Sequence, residues 1–192
     1  MPDETVGRDA AKLTGKLLVA APSLRGSTFD RAVILMLSHD GDGALGVMVN
    51  KPTEVLVGDV LPRWMSVVSE PGVVFQGGPV SLDSALGLVA VGSNDEPLGI
   101  RRVRGRLGVV DLDTPAEIIE PAVTAMRVFA GYAGWAPDQL EGEIDEGSWY
   151  VVDAEPGDAF RTDAEDLWPV VLRRQGGQLA LIATFPADPS MN

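Results

Sequence analysis

Arg31-Ala32-Val33-Ile34-Leu35-Met36-Leu37-Ser38 runs into His39-Asp40-Gly41-Asp42-Gly43 and returns as Ala44-Leu45-Gly46-Val47-Met48-Val49-Asn50-Lys51-Pro52. Apolar and β-branched residues fill both faces of the first arm, the pattern of a strand buried on both sides. The Asp-Gly pairs tolerate the positive φ of a tight reversal, so the stretch is a β-hairpin. On the return arm Ala44, Gly46 and Met48 share a face with Asn50, and their small members let another backbone come close. A second glycine-punctuated block follows, Phe75-Gln76-Gly77-Gly78-Pro79-Val80. It reads as a strand over Val73 to Gln76 running into a turn.

Upstream of the hairpin, Gly15 to Ala21 is a strand closed by Pro22. Between Pro52 and Pro62 lies a loop with a short helix. A turn over Ser81 to Ser84 leads to a strand over Ala85 to Val91, and a loop over Gly92 to Pro97 leads to extended segments through Arg106 and Val110. Thr114-Pro115-Ala116-Glu117 then has the cap, first-turn proline and glutamate of a helix start. A strand over Met126 to Phe129, a helix over Pro137 to Glu146 ended by Gly147, and a strand over Ser148 to Val152 follow. Thr162-Asp163-Ala164-Glu165 caps a third helix, which Pro169 kinks or restarts. Leu179 to Thr184 is read as a last strand. Strands come first and helices gather later, which makes the fold class α+β rather than a regular βαβ alternation. The expected organisation is a flexible leader, 1–13, and one domain, 14–192.

A chain of 192 residues buries roughly 70% of its unfolded surface in a single unit. With no cysteine, disulfides, thiolate catalysis, iron–sulfur clusters and sulfur-ligated zinc are excluded. Met1 to Asp9 is polar and acidic, unlike a signal peptide. The longest apolar run, Ala32 to Leu37, falls far short of the roughly 20 residues that span a bilayer. The expectation is a cytoplasmic protein without membrane association. The net charge of −13 repels phosphate backbones at long range, which disfavours nucleic acid as a partner. Arg101, Arg102, Arg104 and Arg106 form the one cationic run that opposes this. If the segment is extended, Arg102, Arg104 and Arg106 share a face.

Few residues offer chemistry. His39 is the only histidine, and with Asp40 and Asp42 it makes at most a thin metal site, so no metal or cofactor is expected. Its structural reading is packing over the turn. Asn50-Lys51-Pro52 carries a lysine fixed by the following proline. Lys51 is either a nucleophile, an anion-recognising cation or half of an ion pair with a local acid such as Glu54. Gly77 and Gly78 offer backbone amides to an anion, or a tight turn. Glu141 and Glu143, two apart on a helix, point to different faces and make no ready acid–base pair. Trp135 resembles a hydrophobic staple, and Gln139 with Glu143 presents one polar face.

In this order and spacing, several segments are similar to the YqgE/AlgH family of bacterial proteins. They are Leu18 to Pro22, Phe29-Asp30-Arg31, the His39 to Pro52 block, Gly77-Gly78-Pro79-Val80, Gly131-Tyr132-Ala133-Gly134-Trp135-Ala136-Pro137-Asp138-Gln139-Leu140-Glu141, Leu167-Trp168 and the ending Asp188 to Asn192. The resemblance implies a bent, mainly antiparallel sheet partly closed into a barrel and flanked by helices. It implies no settled activity and no catalytic residues, although members carry a regulator label. Ser84 and Val89 stand where arginine and histidine are frequent in the family, and Lys51 where arginine is, which argues against a shared histidine chemistry.

The functional expectation is a non-catalytic binding or regulatory module for a protein partner or a small anionic ligand. Its candidate residues are Asn50, Lys51, Gly77, Gly78, His39, Trp135 and Gln139. The alternatives are an enzyme using Lys51 or His39, and a nucleic-acid-binding regulator using Arg101 to Arg106.

Overall fold

The computed structural model describes residues 13–187. The expected leader, Leu13 apart, and the Asp188 to Asn192 ending lie outside the described residues. Ten strands form one curled sheet: β1 (Lys16–Ala20), β2 (Val33–Asp40), β3 (Gly43–Met48), β4 (Pro52–Leu56), β5 (Val73–Gln76), β6 (Val80–Val91), β7 (Ile100–Arg104), β8 (Leu107–Val110), β9 (Val123–Trp135) and β10 (Trp149–Asp153). Among the described residues five short helices flank it: α1 (Val57–Val60), α2 (Ala116–Ile119), α3 (Gln139–Asp145), α4 (Leu167–Gln175) and α5 (Gly177–Ile182). The main strand order is β10-β1-β2-β3-β9-β6-β8-β7, with β4 on β5 and β5 on β9. All pairings are antiparallel except β5 with β9. The far ends of this order meet: Arg104 Nη1 donates to the Thr14 carbonyl at 3.0 Å. The fold is therefore α+β with a half-barrel sheet.

Alternation along the strands sorts the core. Leu17 and Val19, Leu35 and Leu37, Val47 and Val49, Phe75, Leu88 and Phe129 pack into one interior cluster, which α4 closes with Trp168, Val171 and Leu172. Their neighbours Leu18, Ala20, Ile34, Met36 and Met48 point the other way and are covered by Trp135, Leu140 and Trp149. A third cluster, with Val89, Met126 and Val128, lies under Val57, Trp64 and Ile119. The first hairpin is thus buried on both faces, and a Cβ on Gly46 would lie 2.6 Å from the Ile34 side chain and 2.8 Å from the Leu35 carbonyl of β2, the close approach that its missing side chain allows.

β9 is the axis. Along one side it pairs with β6. On the other it pairs with β3 through Ala133 to Trp135 and with β5 through Phe129 and Ala130. Between the two lie Gly77 and Gly78. The Gly77 N–H donates to Ala130 at 2.9 Å, and its carbonyl accepts from Met48 at 2.8 Å. A Cβ on Gly78 would fall inside the backbone of Tyr132, and one on Gly131 (φ 69°) would lie 2.6 Å from the Gly78 carbonyl.

Several elements differ from expectation. Leu179 to Thr184 is not a strand: α5 covers Gly177–Ile182, because a six-residue apolar run does not distinguish a helix from a strand. The loop after Pro52 begins with β4, where proline is tolerated as a first edge residue. The Ser81 to Ser84 turn is instead a bulged stretch of β6, with Ser81 at φ 50°. β9 runs 13 residues, far past Phe129. α2 is one turn without a side-chain cap, since Pro121 lacks the N–H that would continue it. Asp163 does not cap a helix either, because Arg161 holds its carboxylate at 2.6 Å. Pro169 falls in the first turn of α4, where its missing N–H is harmless.

Arg127 of β9 is fully buried. Its Nη1 donates to Ala159 O and its Nη2 to Glu70 O, each at 2.9 Å, and its guanidinium lies 4.1 Å from the Phe75 ring centre. No carboxylate pairs with it among the described residues, and burial pushes its pKa down to about 10. It still carries its charge at neutral pH and ties two loops to β9.

Two substitutions test this frame in urea unfolding. Gly78→Ala is expected to lower stability by about 3–5 kcal/mol, since the obstacle is backbone and cannot swing aside. Arg127→Met removes a desolvated charge but orphans two carbonyls, and a net loss of about 2–3 kcal/mol is expected. An unchanged midpoint in either variant contradicts the corresponding account.

Candidate functional site

The turn leading into β2 builds the site. Arg31 adopts φ 53°, a left-handed conformation that costs about 1–2 kcal/mol in a residue with a Cβ. Asn50, which is almost fully buried, secures it. Its Oδ1 accepts from the Val33 N–H at 2.9 Å, and its Nδ2 donates to the Arg31 carbonyl at 2.8 Å. One side chain thereby replaces a missing rung between β2 and the end of β3. Lys51 adds a bond from Nζ to the Asp30 carbonyl at 2.5 Å.

This conformation throws the Arg31 guanidinium over Trp168, 4.2 Å from the ring centre, and lets it donate to the Phe185 carbonyl at 3.0 Å. Trp168 is itself fixed by its indole N–H to Ala20 O at 2.9 Å. Arg25 holds the next carbonyls, those of Pro186 and Ala187. Three cations thus gather at one end of the sheet, each bonded to backbone carbonyls.

Beside them opens a cleft of about 250 Å³ lined by Arg31, Asn50, Lys51, Pro52, Gln76 and Glu165. The Gln76 N–H donates to Lys51 O at 2.8 Å, so β4–β5 pairing fixes their adjacency. Burial depresses the Lys51 pKa below its ordinary value, Asp30 opposes this, the Arg31 charge adds to the depression and Glu165 opposes it more weakly. Burial likewise lowers that of Arg31, Asp30 opposing and Arg25 and Arg173 reinforcing. Both cations sit where more negative charge would be welcome.

The other candidate residues fall elsewhere. Gly77 and Gly78 are buried against β9, and the Gly77 amide is already bonded to Ala130. His39 is buried on β2, with Nε2 2.7 Å from Glu141 Oε1 on α3 and Nδ1 buried without a partner. Trp135 and Trp149 both donate their indole N–H to Glu143 Oε2, at 2.9 and 2.8 Å. Gln139 donates to Glu143 Oε1 at 3.0 Å and accepts from the Ala136 N–H at 3.0 Å. Glu143 and Gln139 thereby clamp α3 onto β9 and β10. Glu54 does not pair with Lys51; the lysine turns to the Asp30 carbonyl instead.

The arginine run does not form one face. A bulge between Arg102 and Arg104 and a reversal at Gly105 separate its members. Arg102 is spent on the carbonyls of Gly105, Ser93 and Asp95. Among the described residues no three His, Asp or Glu side chains gather as a metal-ligand set, and no helix is long and apolar enough to cross a membrane.

Arg31 and Glu165, which share the cleft with Lys51, are not among the residues that the sequence nominates. Arg31 carried a signal, being the one charge at the start of an otherwise apolar arm. Glu165 carried none, since it arrives from 114 positions away in sequence, ahead of α4.

Residues 17–180 match the model of the AlgH-like family. A UPF0301 protein of Streptomyces coelicolor is 58% identical over 188 residues, covering 96% of this chain and 97% of its own length. One from Thermobifida fusca is 47% identical over 193 residues, covering 96% and 98%. The crystal structure of a Corynebacterium diphtheriae protein aligns with a TM-score of 0.85 at 37% identity, over 90% of this chain and 92% of that one. The solution structure of AlgH from Pseudomonas aeruginosa shares the fold, with a TM-score of 0.68 at 23% identity over 97% of each chain. Similar in sequence and backbone along nearly its whole length, the chain belongs to the AlgH-like family.

Proposed function

We propose that this protein is a non-catalytic cytoplasmic binding module whose ligand is a small anion held between Arg31 and Lys51. The observation that carries the reading is the placement of two part-buried, mutually repelling cations on one cleft of a chain with net charge −13. Neither has a carboxylate within ion-pair distance among the described residues. An anion between them removes the repulsion and gains charge-assisted hydrogen bonds, and Gln76 supplies an amide beside it. At about 250 Å³ the cleft is below the roughly 300–1,000 Å³ of drug-sized pockets, which suits phosphate, sulfate or a short carboxylate.

Catalysis is less well supported. The His39–Glu141 contact has the distance of an acid–base couple, but the imidazole is 7% exposed and lines none of the clefts described. A desolvated lysine beside a second cation is also how a nucleophilic amine is prepared, but Lys51 Nζ is committed to the Asp30 carbonyl at 2.5 Å and bonds to no acid or base side chain among the described residues.

Stability and binding should separate at adjacent positions. Asn50→Ala leaves the Val33 N–H and Arg31 carbonyl without partners, and a loss of about 2–4 kcal/mol in urea unfolding is expected. Lys51→Met removes a desolvated charge and should leave the melting temperature within a few degrees. In calorimetric titration at low salt, inorganic phosphate is expected to bind the native protein saturably, and Lys51→Met to weaken it about tenfold or more. Lys51 has a folded pKa below its unfolded one. Its charge, and with it phosphate affinity, is full below the depressed value and is lost as pH rises through it, earlier than for an ordinary lysine. Equal phosphate binding by native protein and Lys51→Met overturns the reading.

A further inference from the structure

We infer that the open mouth of the half-barrel is a second binding site, for an amphiphilic monocarboxylate whose apolar chain enters the sheet while its head meets Arg104 and Arg106. A cavity of about 620 Å³ lies there, between the converging ends of the sheet, and it shares no lining residue with the Lys51 cleft. Its walls are Leu17 and Leu35 from the interior cluster, Val91, Leu107, Ala125 and Phe160. The volume is that of pockets that take whole small molecules, about 300–1,000 Å³.

The rim decides the polarity of the ligand. Its carboxylates are already engaged. Asp153 accepts from Lys16 Nζ at 2.6 Å, Asp158 accepts from both terminal nitrogens of Arg174 at 2.8 and 2.7 Å, and Glu155 lies 3.3 Å from the same guanidinium. Its arginines are not so engaged. Arg104 gives one bond to the Thr14 carbonyl and stands near enough to Asp153 to act weakly on it. Arg106 has no ion pair and no side-chain hydrogen bond among the described residues. The two arginines flank Gly105 at the tip of the β7–β8 hairpin, directly over an apolar interior. A carboxylate with an apolar tail satisfies both halves of the site; a cationic or headless chain satisfies one. The cavity is also preformed, because Arg127 holds the Ala159 carbonyl of its far wall to β9.

The probes are decanoate below its micellar concentration, decan-1-ol, decyltrimethylammonium and acetate, each titrated calorimetrically into the full chain. Decanoate should bind with one-to-one saturation, about tenfold or more tighter than the alcohol or the cation, and acetate should not enter this site. Arg106→Glu, an exposed change, should weaken decanoate about tenfold while leaving decan-1-ol unaltered. Ala125→Phe fills the cavity and should abolish binding of every chain. Should that variant fail to fold, amide shifts in the native protein decide, with decanoate expected to perturb Leu17, Ala90 and Ala125. Decanoate binding no tighter than the cation, indifference to Arg106→Glu, or shifts confined to other surfaces overturns the proposal. Lys51→Met should leave decanoate binding intact, so failure here and failure of the small-anion cleft are read separately.

Discussion

The whole architecture depends on a backbone contact too close for any side chain. At Gly77 and Gly78 the chain wedges between β3 and β9, bonded to Met48 on one side and Ala130 on the other. One strand, β9, therefore has two neighbours along a single edge, antiparallel β3 and parallel β5. A sheet that forks in this way cannot stay flat. Gly131 takes a left-handed φ at the fork, and the strands beyond it turn until Arg104 reaches Thr14. The half-barrel follows from this close approach rather than from strand twist alone.

The same fork positions the Lys51 cleft without contributing to its lining. β5 is delivered beside β9, β4 pairs with β5 through Pro52 and Phe75, and Gln76 then lies against the Lys51 carbonyl. Asn50 works from the opposite side by holding the left-handed Arg31. Gly77, Gly78 and Asn50 thus matter to the cleft as its frame, with Arg31, Lys51 and Gln76 as its charged and polar surface. Equally prominent residues in a motif can differ entirely in role.

What was legible in the sequence follows from how local the cause is. The Arg31 to Asn50 hairpin announces itself because burial of both faces and turn chemistry are written in neighbouring residues. The expected strand over Met126 to Phe129 stops short of Gly131, a residue whose lack of a side chain serves the passing backbone of Gly78 rather than a turn. α5 was read as a strand because its short apolar run carries no period, and the choice was made by packing next to α4. The helix that the Thr114 motif announces starts a residue late, with Pro115 at its cap, and Pro121 ends it after one turn. For the site, Lys51 stood out as a rare cation. Its cleft neighbours Arg31 and Glu165 are set by tertiary closure, and no spacing rule joins them.

A chain with 28 acidic and 15 basic side chains would be expected to neutralise every buried or half-buried cation with a carboxylate. Lys16, Arg161 and Arg174 follow that rule, but the half-buried Arg31, Lys51 and Arg102 and the buried Arg127 donate to backbone carbonyls instead, as do the exposed Arg25 and Arg104. A carbonyl satisfies the hydrogen bond but leaves the full positive charge, so these places keep a positive potential inside an acidic shell. The two fields act at different ranges. Beyond about 8–10 Å salt screens single charges, and a polyanion, which must lie along an extended surface, meets the repulsion of many acids at once. A small anion or a single carboxylate head needs only one pair of cations. Under the proposed reading, an acidic chain with carbonyl-held cations would disfavour a polyanion while leaving a small anion one pair of cations to meet, and it would need no patch of net positive surface.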